Sequence, residues 1–256
     1  MNDTPEERIL ADRVAWVTGS SRGIGMAIAR ELARHGARVA IHGRDAAAAS
    51  AVASELPGSI VVLGDVTSAA DVDRMREEVE AQLGPISILV ANAGGNLAAP
   101  APIETLSEHA FRATVDLNLV ATFLVMRAVL PGMKQRGRGV IATMSSAAGR
   151  RASAQSPIAY AAAKAGIELL SQDVAQQAGP AGVRVVCVAP ETILTATNQA
   201  RIPVDLQAQL AAAHPIRRLG TPEDVARVVR FLVSDDASWL TGITVDVAGG
   251  ATMVRG

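Results

Sequence analysis

Short apolar segments alternate along this chain with segments of helical length, and this alternation constrains the fold most strongly. The apolar segments lie at residues 14–17, 38–41, 60–63, 86–91, 139–144, 184–188 and 244–247. Between them, apolar side chains recur at helical spacing, as at Ile24, Ile28 and Leu32. Strands that are apolar on both faces and are each followed by a helix form a parallel sheet covered on both sides. The sequence therefore predicts one α/β domain over residues 1–256, a doubly wound Rossmann-type fold with a seven-stranded parallel sheet flanked by helices.

Charge and composition exclude several classes of partner. The 24 basic and 25 acidic residues give a formal net charge of −1, so no excess of one sign attracts nucleic acid or an anionic membrane. The best candidate for a membrane helix, residues 123–133, is short and is interrupted by Arg127 and Pro131. Residues 1–13 lack the basic start and apolar stretch of a secretory signal. We therefore expect a cytoplasmic protein whose residues 1–12 form a flexible lead-in.

Cysteine and histidine give no support for a metal site. The chain has one cysteine, Cys187, which lies inside an apolar segment. The four histidines, at positions 35, 42, 109 and 214, share no ligand spacing with one another or with Cys187. The sequence predicts a buried, unreactive thiol and no bound metal.

A glycine-rich segment follows the first apolar segment directly and precedes a predicted helix. It reads Thr-Gly-Ser-Ser-Arg-Gly-Ile-Gly over residues 18–25. Glycines allow the backbone to turn sharply and to approach a pyrophosphate closely, and the amino end of the helix stabilises the phosphate charge. This position between strand and helix predicts a dinucleotide site. The predicted contacts are Gly19, Ser21, Arg22, Gly23, Ile24 and Gly25.

The spacing Gly-xxx-Gly-x-Gly, preceded by Thr18, resembles the signature of the short-chain dehydrogenase/reductase family. Further motifs of that family follow in order, and they are Asp65-Val66, Ala91-Asn92-Ala93-Gly94, Asn118, Ser146 and Tyr160-xxx-Lys164. The resemblance extends from about residue 14 to residue 250, and in general pattern it is closest to the 3-oxoacyl-carrier-protein reductases. It implies a nicotinamide-dependent oxidoreductase that assembles as a homotetramer, with a dimer as the alternative.

The end of the second predicted strand bears on the choice of nicotinamide cofactor. In a dinucleotide fold, an acid at this position accepts hydrogen bonds from the ribose 2′-hydroxyl and repels a 2′-phosphate. This chain has Gly43 there, followed by Arg44, whose guanidinium can bind a phosphate in a bidentate manner. Arg22 could add a second positive group. These residues predict NADP(H), and the alternative is that Arg44 pairs with Asp45 on a solvated turn.

The resemblance also implies the remaining cofactor contacts. Asp65 would hold the adenine amino group and Val66 would line the ring, although Asp65 could also cap the following helix. Asn92 and its neighbouring glycines would let the backbone pass close to the adenosine ribose. The nicotinamide end would be held by Pro190, Ile193, Thr195, Tyr160 and Lys164.

Tyr160 and Lys164 are predicted to share one face of a helix, because they lie four residues apart. A free phenol, with a pKa of about 10, exchanges protons too slowly at neutral pH. An ammonium group about 4 Å away is expected to lower the pKa of the phenol from about 10 to near 7. The pair predicts a proton-transfer site with Tyr160 as the donor.

The family pattern implies a role for each residue of this site. Tyr160 would protonate the carbonyl oxygen as hydride arrives, and Ser146 would donate a hydrogen bond to the same oxygen. Lys164 would bind the nicotinamide ribose, and Asn118 would hold a water that connects Lys164 to solvent. Ser145 competes for the serine role, but the small residues and the glycine that follow Ser146 favour Ser146.

Other positions depart from the family pattern or bear on the substrate. Glu191 occupies a position where glycine is usual, and Ala248 replaces the aspartate expected before paired glycines. Arg150 and Arg151 could meet an anionic substrate or could simply be solvated. Residues 192–215 interrupt the strand–helix alternation, and we predict that they form a substrate lid.

We therefore predict an NADP(H)-dependent oxidoreductase that transfers a hydride between nicotinamide and a ketone or secondary alcohol. The expected substrate is a small ketone or a 3-oxoacyl thioester, although Gln176 and Gln177 lack the positive charge that would dock an acidic carrier protein. The alternatives are an NAD-dependent alcohol or sugar dehydrogenase of the same family and a dinucleotide-binding protein without turnover. A nucleotide-sugar epimerase is disfavoured by the glycine spacing.

Overall fold

A parallel sheet of seven strands forms the centre of the computed structural model, which describes residues 8–97, 99–154 and 156–252. The strand order is β3-β2-β1-β4-β5-β6-β7. The strands are β1 (Val14–Val17), β2 (Arg38–Gly43), β3 (Ile60–Leu63), β4 (Ile88–Ala91), β5 (Gly139–Met144), β6 (Val183–Pro190) and β7 (Thr244–Val247). Every neighbouring pair is parallel. The predicted doubly wound Rossmann-type fold is confirmed.

Helices cover both faces of the sheet. They are α1 (Gly23–Arg34), α2 (Ala46–Ser54), α3 (Ala69–Leu83), α4 (Glu108–Val115), α5 (Ala121–Gln135), α6 (Ala147–Arg150), α7 (Ile158–Ala178), α8 (Ala196–Arg201), α9 (Val204–Ala213) and α10 (Pro222–Val233). On one face α1 and α10 pack together, and on the other face α3 and α5 pack over the core. A π-helical stretch, Asp116–Val120, joins α4 to α5.

One described helix is long and apolar enough to cross a membrane by length and composition alone. It is the continuous helical segment Glu108–Gln135, and 44% of its most apolar window is buried inside the fold. Its buried side chains, among them Leu124, Val125 and Met133, belong to the core cluster on one face of the sheet. Core packing therefore accounts for the buried apolar side chains of this helix.

The segment that the sequence predicts to be flexible, residues 1–12, divides into two parts. Residues 1–7 lie outside the described residues. In the second part, the side chain of Leu10 is fully buried, and its backbone N–H donates to the carbonyl oxygen of His35 at 3.0 Å. This part packs on the core, where the sequence analysis expected a flexible segment.

The order of the strands places the functional edge of the sheet. The chain order reverses between β1 and β4, and in open α/β sheets the crevice at such a reversal, at the carboxyl ends of the strands, binds the ligand. The glycine-rich segment follows β1, and the segments after β4, β5 and β6 reach the same edge. The motif residues should therefore meet there.

Candidate active site

The glycine-rich segment forms a tight turn from β1 into α1. Gly19 and Gly23 have φ angles of 65° and 58°, in the left-handed region that favours glycine. A Cβ atom on Gly25 would overlap the carbonyl oxygen of Gly19. The turn therefore requires glycine at all three positions, which is the geometry expected of a loop that approaches a pyrophosphate.

Thr18 and Asn92 fasten this loop to the segment after β4. The Oγ1 atom of Thr18 accepts hydrogen bonds from the backbone N–H groups of Asn92 and Ala93, both at 3.0 Å. The Nδ2 atom of Asn92 donates to the carbonyl oxygens of Thr18 at 3.0 Å and Gly19 at 3.1 Å. Asn92 thus holds the glycine-rich loop directly, and its predicted place beside the ribose stays a prediction.

His42, which the sequence analysis did not assign, braces the same loop from β2. Its Nδ1 atom accepts from the N–H of Gly19 at 2.8 Å, and its Nε2 atom lies 3.2 Å from the carbonyl oxygen of Gly64. Because a carbonyl oxygen can only accept, Nε2 carries the proton. Burial lowers the pKa of His42, partly opposed by the hydrogen bond to Gly64. A polar residue inside an apolar strand was the available sequence signal.

Asp65 and Val66 lie after β3, at the predicted adenine end. Asp65 Oδ1 accepts from the backbone N–H and the Oγ1–H of Thr67, at 2.9 and 2.7 Å. These bonds hold the pKa of Asp65 below its usual value. Ser68, and not Asp65, caps α3, so the capping alternative for Asp65 is wrong. Val66 is buried, and the adenine contacts of both residues stay predictions.

Arg44 is exposed just after β2, beside Asp65 and His42, whose pKa values its charge influences. The carboxylate of Asp45 caps α2 by accepting from the N–H of Ala48 at 3.1 Å, and the ion pairs of the described residues include none between Asp45 and Arg44. The predicted alternative pairing is therefore not observed. The guanidinium of Arg44 is left facing solvent at the end of β2.

Ser21, Arg22 and Ile24 are the remaining predicted contacts in the glycine-rich loop. A Cβ atom on Gly43 would lie 3.0 Å from Ser21 Oγ, so Ser21 packs where a larger residue would intrude. Arg22 is exposed and precedes α1. Ile24 packs against the core cluster at the start of the same helix.

Tyr160, Lys164 and Ser146 come together at the carboxyl edge of the sheet. Tyr160 and Lys164 lie on α7, whereas Ser146 precedes α6. The side chains of Ser146 and Tyr160 share a hydrogen bond, and Lys164 Nζ lies 5.4 Å from the centroid of the Tyr160 ring. The geometry therefore unites three of the four residues predicted for proton transfer.

Ser145 points away from this group. Its Oγ atom lies 2.7 Å from Glu168 Oε1 and 3.0 Å from the carbonyl oxygen of Lys164, and it is buried. Ser146 Oγ accepts from the N–H of Ala148 at 3.2 Å and also reaches Tyr160. Of the two serines, Ser146 therefore has the geometry for the predicted role.

Burial dominates the acid–base properties of the site. It raises the pKa of Tyr160, and the hydrogen bond with Ser146 acts in the opposite direction. It lowers the pKa of Lys164 to about 8. The Nζ atom of Lys164 donates to the carbonyl oxygen of Met144 at 2.8 Å and lies over the phenol ring. The expectation that Lys164 acidifies Tyr160 toward neutrality is wrong, because desolvation is the larger effect.

Asn118 lies in the π-helical stretch and is fully buried. Its Oδ1 atom accepts from the N–H of Gly95 at 3.1 Å, and its Nδ2 atom donates to the carbonyl oxygens of Gly95 and Thr114 at 2.9 and 2.8 Å. A Cβ atom on Gly94 would lie 2.7 Å from Asn118 Oδ1 and 3.7 Å from Lys164 Nζ. Asn118 therefore holds the loop that borders Lys164, and its water relay stays a prediction.

The segment after β6 faces the glycine-rich loop across the crevice. Pro190 ends β6, and Ile193 is buried and bridged to Gly220. Thr195 caps α8 and lies so close to the loop that a Cβ atom on Gly23 would be 3.4 Å from its Cγ2 atom. The predicted nicotinamide residues therefore form one wall and the glycine-rich loop forms the other.

A small pocket opens beside Tyr160. It is lined mainly by apolar groups, including Leu106, Pro157 and Ile158. Arg150 does not reach it as a free cation, because its guanidinium pairs with Glu168 at 2.7 Å and with Asp246 at 2.9 Å. The sequence-based suggestion that Arg150 meets an anionic substrate is therefore wrong.

Comparisons with known proteins agree with this arrangement. The family model described as enoyl-(acyl carrier protein) reductase matches residues 19–252. The cis-4-hydroxycyclohexanecarboxylate dehydrogenase of Sinomonas cyclohexanicum is 39% identical over 95% of this chain and 98% of its own length. The cyclohexanol dehydrogenase of Rhodococcus sp. (strain TK6) is 36% identical over 95% of this chain and 97% of its own length.

A solved structure gives the same result in three dimensions. The 3-oxoacyl-[acyl-carrier protein] reductase of Brucella melitensis with bound NAD superposes with a TM-score of 0.90 at 31% identity, covering 98% of this chain and 95% of that one. These relatives match the chain over nearly its whole length. The chain belongs to the short-chain dehydrogenase/reductase family and is a nicotinamide-dependent oxidoreductase of alcohols or ketones.

Proposed function

We propose that this protein is an NADP(H)-dependent oxidoreductase that interconverts a small ketone and its secondary alcohol. The observation that carries the proposal is the hydrogen-bonded pair Ser146–Tyr160 with Lys164 Nζ 5.4 Å from the phenol ring, at the edge where the glycine-rich loop ends. A dinucleotide-binding protein without turnover has no need of this hydrogen-bonded phenol beside a buried lysine.

The chemistry follows from the positions of these side chains. Reduction of the carbonyl carbon would use a hydride that NADPH supplies when bound. The hydroxyl of Tyr160 gives its proton to the carbonyl oxygen, and Ser146 donates a hydrogen bond to that oxygen as negative charge develops. Lys164 would hold the nicotinamide ribose. Asn118 keeps the adjoining loop in place and would hold the water of a proton relay.

The cofactor residues fit a dinucleotide along the crevice. The glycine-rich loop would take the pyrophosphate, Asp65 and Val66 the adenine, and Asn92 the ribose side. The full set of proposed contacts is Gly19, Ser21, Arg22, Gly23, Ile24, Gly25, Arg44, Asp65, Val66, Asn92, Tyr160, Lys164, Pro190, Ile193 and Thr195.

NADP(H) is favoured over NAD(H) by the charges at the end of β2. Gly43 brings no carboxylate to repel a 2′-phosphate, and the exposed guanidinium of Arg44 is at hand to bind one. The alternative is an NAD-dependent alcohol or sugar dehydrogenase. It is tested as well, because the similar Brucella reductase has NAD bound.

Two relatives support a small cyclic substrate. Their names specify cis-4-hydroxycyclohexanecarboxylate and cyclohexanol, which are secondary alcohols on a six-membered ring. The small pocket beside Tyr160 is lined mainly by apolar groups, which match the hydrocarbon character of such a ring. A 3-oxoacyl thioester is the second candidate, supported by the likeness to the Brucella 3-oxoacyl reductase. We further propose that residues 192–215 form the substrate lid and that the protein acts as a cytoplasmic homotetramer.

A side-by-side turnover screen tests this proposal. Purified protein is mixed with NADPH or NADH and with cyclohexanone, 4-oxocyclohexanecarboxylate or an acetoacetyl thioester, and cofactor oxidation is followed. We expect turnover of the cyclic ketones with NADPH. Turnover confined to the thioester would favour the second candidate, and binding of NADPH with no turnover of any ketone would favour the non-catalytic alternative.

A further inference from the structure

Glu191 and His214 form a buried contact between the segment after β6 and the end of α9. Glu191 Oε2 lies 2.9 Å from His214 Nε2, and His214 Nδ1 lies 2.7 Å from the carbonyl oxygen of Leu210. His214 is 4% exposed, and the side chain of Glu191 is 19% exposed. Both ring nitrogens of His214 therefore have partners in a site that excludes most water.

The two ends of this contact belong to different parts of the molecule. Glu191 directly follows β6, where its N–H donates to the carbonyl oxygen of Val247 at 3.1 Å and its carboxylate accepts from the N–H of Thr192. His214 is the first residue after α9. The contact thus joins the rigid sheet to the last residues of the lid.

The rest of α9 is attached weakly. None of its residues is buried, and Val204 and Leu206 are 78% and 43% exposed. The side chain of Gln207 donates to carbonyl oxygens at Gln199 and Ile202, which are themselves in the lid. His214 is buried where α9 ends, and the guanidinium of Arg217 donates to the carbonyl oxygen of Ala212, so this helix is fastened at its carboxyl end.

The paired glycines near the carboxyl end form the floor under this contact. Gly249 has a φ of 54°, and a Cβ atom on it would lie 3.3 Å from His214 Cδ2. The N–H of Ile216 donates to the carbonyl oxygen of Gly249 at 3.1 Å. The hydrogen bond from Ile216 and the close approach of Gly249 thus fix the backbone next to the His214 ring.

We infer that Glu191 and His214 are positioning residues that latch the carboxyl end of the lid to the nicotinamide wall and so set the lid for substrate binding. The latch itself follows from the contacts around His214, whereas its effect on substrate binding rests on the proposed function. Neither residue touches the reacting atoms.

The latch predicts a local effect on the lid. Loss of one buried hydrogen bond shifts a local opening equilibrium by about tenfold. Hydrogen exchange of the full-length protein measures this opening without any substrate. In Glu191→Ala and in His214→Ala we expect the amides of α9 to exchange about tenfold faster, with β5 and β6 unchanged. The double variant should exchange no faster than either single variant, because both remove one contact.

Two further variants separate the latch from a general loss of packing. Glu191→Gln retains an oxygen that can accept and an amide that can donate. The amides of α9 in this variant should therefore exchange as slowly as in the wild type. Arg218→Gln removes the exposed pair with Asp224 just beyond the lid and should leave α9 unchanged. If Glu191→Ala does not fold, Glu191→Gly replaces it, since glycine is the residue usual in the resembling family.

The kinetic experiment uses 4-oxocyclohexanecarboxylate or whichever ketone the screen identifies. The alanine variants should raise KM for the ketone about tenfold while kcat and the Kd for NADPH stay within about twofold, because the lid contacts substrate and not the reacting atoms. Unchanged α9 exchange in both alanine variants would overturn the latch, and so would equal acceleration throughout the sheet. If no ketone is turned over, the proposed function fails while the exchange result still decides the latch.

Discussion

At the scale of single residues, burial sets the protonation of the phenol. It raises the pKa of Tyr160, so the hydroxyl keeps its proton at neutral pH and is ready to act as an acid in ketone reduction. The reverse reaction, oxidation of the alcohol, needs the phenolate, so its rate should rise with pH. Lys164, whose pKa is lowered to about 8, loses its charge at a lower pH than Tyr160 loses its proton.

The first prediction removes the proton donor. Tyr160→Phe deletes one hydroxyl from a helix that keeps its packing, so turnover of the ketone should fall by about 10²–10⁴-fold, the usual contribution of general acid catalysis. The Kd for NADPH, measured by the fluorescence of the bound cofactor, should change by less than about twofold. A variant that retains wild-type turnover would remove Tyr160 from the mechanism.

The second prediction concerns the choice of cofactor. Arg44→Asp replaces a charge-assisted phosphate contact with repulsion, so kcat/KM with NADPH should fall by roughly tenfold to a hundredfold relative to NADH. Arg38→Asp is the matched control, because Arg38 is an exposed arginine at the opposite end of the same strand. An unchanged NADPH/NADH ratio in Arg44→Asp would show that Arg44 does not bind the 2′-phosphate.

The third prediction follows from the neutral ring of His42. Burial lowers its pKa below the ordinary value of 6.5, so the unfolded chain takes up the proton more readily than the folded protein. The stability that the neutral ring contributes is therefore present above pH 6.5 and is lost as the pH falls toward the lowered folded pKa. Protonation of Nδ1 would also break its bond with the N–H of Gly19.

Urea unfolding and NADPH binding, each measured from about pH 5 to pH 8, test this effect. Wild-type affinity for NADPH should decrease as the pH falls toward the folded-state pKa of His42, which lies below 6.5. His42→Gln should bind more weakly throughout but should lose this pH dependence. His109→Gln is the control, because His109 is exposed and far along the chain. The same acid-side loss in His42→Gln would contradict the role of His42.

At the scale of secondary structure elements, the strands were predictable because a parallel sheet buries both faces of each strand. β1, β3, β5 and β7 have the predicted limits, whereas β6 begins one residue earlier and continues to Pro190. The helix that the sequence predicts at Tyr160 and Lys164 extends over Ile158–Ala178. Alanine and glutamine continue a helix without marking where it ends, so periodicity alone did not find its length.

The elements of the site were predictable where a local motif carries them, and unpredictable where a contact joins distant segments. The glycine turn and the Tyr160–Lys164 spacing can be read from a few neighbouring residues. The bonds of His42 to Gly19 and of His214 to Glu191 join residues 23 positions apart. No local pattern encodes such pairs, so a polar residue inside an apolar strand could draw attention to His42 but could not identify its partner.

The fourth prediction concerns the contact between α6 and α7. A Cβ atom on Gly149 would lie 2.7 Å from the backbone N of Ala165 and 2.8 Å from the carbonyl carbon of Lys164. Gly149→Ala must therefore push α6, and with it Ser146, away from Tyr160. We expect a loss of about 1–3 kcal/mol in the free energy of unfolding and a fall in kcat.

Gly179→Ala is the matched control for this substitution. Gly179 has no heavy atom within 4 Å of a built Cβ and has a negative φ. Its unfolding free energy and kcat should stay near the wild-type values. Wild-type stability and kcat in Gly149→Ala would show that α6 adapts without moving Ser146.

At the scale of the whole molecule, the helical layer that carries the active site also exposes large apolar side chains. They lie on α4, α5 and α7, which contact one another. The exposed residues are Phe111 (38%), Phe123 (45%), Ile158 (38%) and Leu169 (61%). Exposed apolar surface of this kind marks an interface between proteins. These exposed side chains therefore support an interface in the proposed homotetramer. Helix α7, which carries two of them, also carries Tyr160 and Lys164.

The fifth prediction tests that assembly. Leu169 is the most exposed of these four side chains and lies on α7 between buried neighbours, so Leu169→Glu places a charge on the surface without entering the core. Light scattering of the wild type should give four times the chain mass of 26.4 kDa, and Leu169→Glu should shift the mass to a dimer or monomer. Val204→Glu is the control, because Val204 is an exposed apolar residue on α9, outside these three helices, and this variant should remain tetrameric. We expect the proposed tetramer to support the helix that carries Tyr160, so the dissociated variant should also lose turnover and regain it when high protein concentration restores the tetramer. A wild-type protein that elutes as a monomer with full turnover would disprove the assembly while leaving the proton-transfer site intact.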